Sequence, residues 1–276
     1  MDKLIAKYAE NITNELGNDL EALMLVGSFA RGEGIKGLSD IEFWAVVKDL
    51  SRVKKPQLGK NISLGFTTRS HLKRLKPYIY TVEVKKFGRV LYGDENIVSH
   101  IPDYSFEDIA PADGFILLNN RIVEQMILLN KIEDGEVISQ YEFDKGYVQL
   151  VNSLLVLNRR YRSLYPEKLK EFMEMSQCHN VTMSQDLVNR VQQAFASMKQ
   201  APELIIDQSE ALEKWVELRE HFRMVWMGQR SLLSRLLGKP VRWWIYYKSS
   251  KLYFSNDCTN RQKRNSIIKK WERFVK

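Results

Sequence analysis

A short apolar run from Leu23 to Val26 ends in Gly27-Ser28, and about twelve residues later Asp40 and Glu42 open a second apolar run, Ile41 to Val47. No other feature narrows the chain's choices as much. Short apolar runs bounded by glycine and polar residues predict strands. A strand that ends in Gly-Ser and turns into a short helix aims backbone N–H groups and a hydroxyl at an anion, which describes a phosphate cradle. Side chains alternate along a strand, so Asp40 and Glu42 point to the same side. Two carboxylates that close repel unless a cation lies between them or one keeps its proton. A further strand predicted over Tyr78 to Phe87 carries Glu83 among apolar neighbours. Set beside the strand bearing Asp40, it brings a third carboxylate in front of the cradle.

Three such carboxylates facing a phosphate site suit two-metal nucleotidyl transfer. One Mg²⁺ neutralises the triphosphate, and a second activates the attacking hydroxyl and aligns it. Mg²⁺ takes oxygen ligands, which fits a chain with no His or Cys cluster at metal-ligand spacing. The two cysteines, Cys178 and Cys258, form no CxxC motif and predict neither a disulfide framework nor a zinc site, even with His179 beside the first.

Around this core the chain changes character once. Ile5, Tyr8, Ala9, Ile12 and Leu16 fall at helical spacing before Gly17. Asn61 to Phe66 is predicted as a strand and Ser70 to Leu75 as a short basic helix. After Pro102 the strand patterns cease. Pro111 starts a helix running through Ile122 and Met126 to Leu129, and helical patterns follow over Asp144 to Tyr165, Ser184 to Met198 and Ser209 to Leu237. The expectation is a mixed α/β domain over residues 1–105 and an all-helical domain over 106–276. The N-terminus reads as an amphipathic helix and not a signal peptide, and no apolar run approaches the ~18 residues of a membrane span, so a cytoplasmic protein with no membrane partner is expected.

The stretch Leu25-Val26-Gly27-Ser28-Phe29-Ala30-Arg31-Gly32-Glu33, with Ser39-Asp40-Ile41-Glu42 and the later Glu83, resembles the DNA polymerase β-like nucleotidyltransferase superfamily. The likeness covers roughly Leu23 to Gly93. It implies an α+β fold with a polymerase-β-like palm, a small mixed sheet with helices, followed by the helical domain. It also implies transfer of a nucleoside monophosphate from ATP or another NTP to an acceptor. Gly27, Ser28 and Arg31 would serve the nucleotide, and Asp40, Glu42 and Glu83 would bind two Mg²⁺ ions. Glutamate at the second and third carboxylate positions is similar to the kanamycin nucleotidyltransferase branch. There, a glutamate on the first long helix of the second domain is the general base, and Glu124 is the matching residue here.

Lys145, on the helix opened by Asp144, is a further candidate to neutralise triphosphate charge. The cluster Arg159-Arg160-Tyr161-Arg162 either faces the nucleotide or is solvated. The acceptor is expected to be a hydroxyl of a small molecule. Two alternatives remain: an antitoxin-type enzyme that modifies a protein, and an RNA-directed enzyme that uses its basic tail. That tail holds the chain's whole net charge of +8, since ten basic and two acidic residues fall between Val241 and Lys276. Such a charge suits a nucleic-acid partner, but Ile267, Ile268, Trp271 and Phe274 at helical spacing favour a terminal helix that docks its apolar face and exposes its lysines.

Overall fold

The computed structural model describes residues 2–59, 61–177, 183–200, 204–228 and 241–275. They form two compact units, Met1–Ile109 and Ala110–Lys276. The architecture is mixed α+β, with a small mixed sheet and its helices in the first unit and mainly helices in the second.

In the first unit, α1 (Asp2–Leu16) turns Ile5, Ile12 and Leu16 inward, as their helical spacing requires. β1 (Leu20–Val26) runs antiparallel to β2 (Ile41–Val47) and to β4 (Arg89–Gly93), while β3 (Ile62–Thr67) lies parallel to β2, giving the order β3-β2-β1-β4. One sheet face packs Leu23, Leu25, Ile41 and Phe43 against α1. The other gathers Ala22, Met24, Val26, Trp44 and Val46 with Leu72, Val84, Ile97 and Ile101. Both faces are covered, which is why β1 and β2 read as nearly unbroken apolar runs.

The segment predicted as a strand over Tyr78 to Phe87 is instead a helix, α4 (Ile79–Phe87). Its alternating Ile79, Thr81 and Glu83 fit a strand, but neither central edge needs one: β4 pairs with β1 and β3 with β2. What the sheet lacks is an apolar lid on its second face. A helix supplies it by burying Val84 there, and packing overrides the β-propensity of the segment. The basic helix expected after β3 is α3 (Arg69–Leu72), capped by the Thr68 side chain accepting from the His71 amide.

The second unit opens with α5 (Pro111–Glu133), with proline in its first turn. α6 (Gln140–Leu157) starts at a Ser139–Glu142 capping box and stops before Arg159, whose φ of +57° cannot continue a helix. It therefore begins and ends earlier than the pattern from Asp144 to Tyr165. α7 (Tyr165–Ser176) was not anticipated, and α8 (Gln185–Gln200), α9 (Gln208–Gly228), α10 (Val241–Tyr253) and α11 (Arg261–Val275) follow. The expectation of no strands is corrected by a short antiparallel pair, β5 (Ile138–Ser139) with β6 (Ile205–Ile206). Cys178, His179 and residues 229–237 of the helix predicted over Ser209 to Leu237 lie outside the described residues. Cys258 is buried and free. Among the described residues no helix is long and apolar enough to cross a membrane.

Candidate active site

The end of β1 and the start of β2 are neighbours, with Val26 opposite Glu42. The chain then turns at Gly27, with φ +70°, into the four-residue helix α2 (Gly27–Ala30). A Cβ at Gly27 would stand 1.7 Å from Glu42 Oε2. The Glu42 carboxylate thus lies directly on the turn, and only glycine combines that close approach with that φ. The turn is closed by the Glu33 amide donating to the Ser28 carbonyl at 2.9 Å. Phe29 goes into the core beneath it, with Gly34 against its ring.

The connection to β2 is fixed by Ser39, whose hydroxyl accepts from the Ile35 amide at 3.0 Å while its own amide donates to the Ile35 carbonyl at 2.9 Å. That turn delivers Asp40, which is exposed, to the head of the strand. Strand alternation puts Asp40 and Glu42 on the face shared by Trp44 and Val46. Tyr80, from α4, stacks edge-on against Trp44 with ring centroids 5.2 Å apart. Its hydroxyl is pushed well above the ordinary range, first by the protein packed around it and then by the charge of Glu42, although the residue stays 42% exposed. Sequence reasoning missed Tyr80, because a strand reading gave it no reason to lie beside Glu42.

Arg31 and Glu83 come together in a way not anticipated. Arg31 Nη1 donates to Glu83 Oε2 at 2.7 Å and Arg31 Nε to Glu33 Oε2 at 3.2 Å, with all three side chains at most 14% exposed. Arg31, expected to serve the nucleotide, ties the end of the Gly27 turn to α4. Glu83, expected on a strand beside Asp40, projects from a helix. On the side of β2 away from β1, β3 sets Ser63 opposite Glu42 and Gly65 opposite Trp44, so no carboxylate enters from β3. Asp40 and Glu42 share one strand face, and Glu83 reaches the Gly27 turn through Arg31.

In the second unit, Glu124 lies on α5 with both carboxylate oxygens against Arg121 Nη1. Lys145 is exposed on α6, beside buried Asp144. The arginine cluster is neutralised locally: Arg160 meets Glu171 at 2.7 Å and Glu174 at 2.6 Å, and Arg162 meets Glu171 at 3.0 Å. Among the described residues, one trio places an imidazole or carboxylate ligand atom from each member within 4.8 Å of the others: Asp186, Glu217 and His221. The Glu217–His221 spacing of one helical turn is visible in the sequence, but Asp186 comes from another helix and carries no local signal. No family model matches the chain, and no curated protein matches it.

Proposed function

We propose that the chain is a Mg²⁺-dependent nucleotidyltransferase that moves AMP, or another nucleoside monophosphate, from an NTP to a hydroxyl of a small molecule, and that its first unit is a polymerase-β-like palm. The observation that carries this reading is the Glu42 carboxylate lying on the Gly27 turn, with Asp40 on the same strand face. A bare Cα, free of side-chain bulk, lets phosphate oxygens approach the backbone. Ser28 adds a hydroxyl donor in the first turn of α2.

The donor set suits the metal. Mg²⁺ is commonly held by one or two carboxylates plus substrate phosphates, and Asp40 with Glu42 provides such a pair at the cradle. When bound, Mg²⁺ draws charge from the triphosphate and makes the acceptor hydroxyl easier to deprotonate. The roles of the remaining residues follow from their contacts. Arg31 is a positioning residue, since Glu33 and Glu83 hold its guanidinium and thereby brace the turn. Ser39 sets where Asp40 leaves the loop. By the resemblance alone, Glu124 would take the acceptor's proton, and by its charge alone Lys145 would offset phosphate charge.

The test is incubation with α-labelled NTPs, Mg²⁺ and a panel of small-molecule hydroxyl acceptors, a mixed protein fraction and RNA. Pyrophosphate release with label on a small molecule is expected. Asp40→Asn, at an exposed position with little bearing on folding, is expected to lower the rate roughly 100-fold or more. Label on polypeptide or RNA instead would keep the chemistry and replace the acceptor. No release with any acceptor, or full activity in Asp40→Asn, would remove the proposal.

A further inference from the structure

The second unit contains a cluster that nucleotidyl transfer does not use. His221 on α9 is buried, with its side chain 3% exposed, and both ring nitrogens are engaged: Nε2 lies 3.0 Å from Asp186 Oδ2 on α8, and Nδ1 lies 3.1 Å from the Tyr147 hydroxyl on α6. Glu217, one turn before His221 on the same helix face, brings a second carboxylate to the same point. Arg190 Nε holds Oε1 of that carboxylate. Two helices, α8 and α9, thus converge one imidazole and two carboxylates.

We propose that Asp186, Glu217 and His221 bind a divalent transition-metal ion, Zn²⁺ by preference, independently of the site on the first unit. The donor chemistry selects the ion. An imidazole favours Zn²⁺ over Mg²⁺ and Ca²⁺, and the absence of sulfur in the trio disfavours thiophilic ions. Geometry agrees. A tetrahedral ion with ligands at about 2.0–2.1 Å spaces its donors about 3.4 Å apart. The His221–Asp186 separation is already that short, and the 4.8 Å limit leaves Glu217 only a side-chain adjustment.

Tyr147 completes the arrangement. With Nδ1–H donating to the Tyr147 oxygen, Nε2 presents its lone pair toward Asp186, as in metal sites where a neighbour fixes the histidine tautomer. The ion takes the place of the proton that Nε2 otherwise shares with Asp186. Arg190 offsets the second carboxylate before the ion arrives. Glu217, Arg190 and Tyr147 also line a cavity of about 230 Å³. Three protein ligands beside a cavity leave the fourth coordination position to water or a small ligand.

The experiment uses the full chain, stripped with a chelator and dialysed, then titrated with Zn²⁺ in excess Mg²⁺ and separately with Co²⁺ followed by its visible absorption. One equivalent of Zn²⁺ and a low-symmetry Co²⁺ spectrum are expected. Because His221 is buried, the deciding variants are Asp186→Ala, whose side chain is 65% exposed, and Glu217→Gln, 29% exposed. Each is expected to weaken Zn²⁺ binding roughly tenfold or more and to lose the Co²⁺ spectrum. Asp40→Asn is expected to leave both unchanged. The proposal is overturned if the wild-type chain takes up no Zn²⁺, if both trio variants bind like wild type, or if Asp40→Asn abolishes binding.

Discussion

A methyl group at position 27 would act in two ways of different size. The backbone φ of +70° costs an L-residue about 1–2 kcal/mol, whatever the surroundings. The collision with Glu42 Oε2 costs less in stability, because a carboxylate at the end of a flexible side chain can swing away. Its functional cost is larger, since the carboxylate then leaves the turn. Gly27→Ala is therefore expected to lower unfolding stability by only about 1–2 kcal/mol in urea titration while removing nearly all transferase activity. A loss of activity proportional to the unfolded fraction would show instead that Glu42 has no role on the turn. Much of this was legible in the chain. Gly27, Ser28, Asp40 and Glu42 announce themselves by their place at strand ends. The partners of Arg31 do not, because Glu33 and Glu83 reach it through a turn and a helix whose packing no local pattern encodes.

At the scale of elements, the readings that held are those in which periodicity and burial agree. Ile41 to Val47 is a strand on both grounds, and α1 shows its buried stripe at the spacing the sequence displays. α4 is the opposite case. Its residues alternate like a strand, and the need to cover Met24, Val26 and Trp44 makes them a helix. α6 was misplaced for a simpler reason: the Ser139–Glu142 capping box marks its true start, ahead of the first residues that look periodic. The terminal helix α11 docks through more than the apolar face expected of it. Ile267 is buried, but so is Arg264, which donates to Asn130 Oδ1 at 2.9 Å and to the Cys258 carbonyl at 2.5 Å and pairs with Glu133 on α5. Removing the arginine takes the donors from Asn130 Oδ1 and the Cys258 carbonyl, while Glu133, 34% exposed, turns to solvent. Arg264→Ala is expected to cost about 2–3 kcal/mol in urea unfolding, with Arg264→Lys intermediate because it restores charge without the planar fork. A change below ~0.5 kcal/mol would mean that α11 is held by its apolar contacts alone.

Across the whole molecule, part of the net charge of +8 is neutralised within the fold. Several of the tail's cations are used internally: Arg264 is buried, Arg261 meets Asp134 at 2.5 Å, and Lys263 meets Asp257 at 2.8 Å. The central arginine cluster is likewise absorbed by the glutamates of α7. The carboxylate pair proposed to work on a nucleotide lies instead in the first unit, in the part of the chain without net charge. Asp40 and Glu42 are proposed to make that unit a metal-dependent nucleotide site. Calorimetric titration of NTPs into the full chain, with and without Mg²⁺, addresses it most directly. Binding that requires Mg²⁺ and weakens at least ~10-fold in Asp40→Asn is the expected result. Binding of no NTP at millimolar concentration with Mg²⁺ present, or equal binding by wild type and Asp40→Asn, would contradict it.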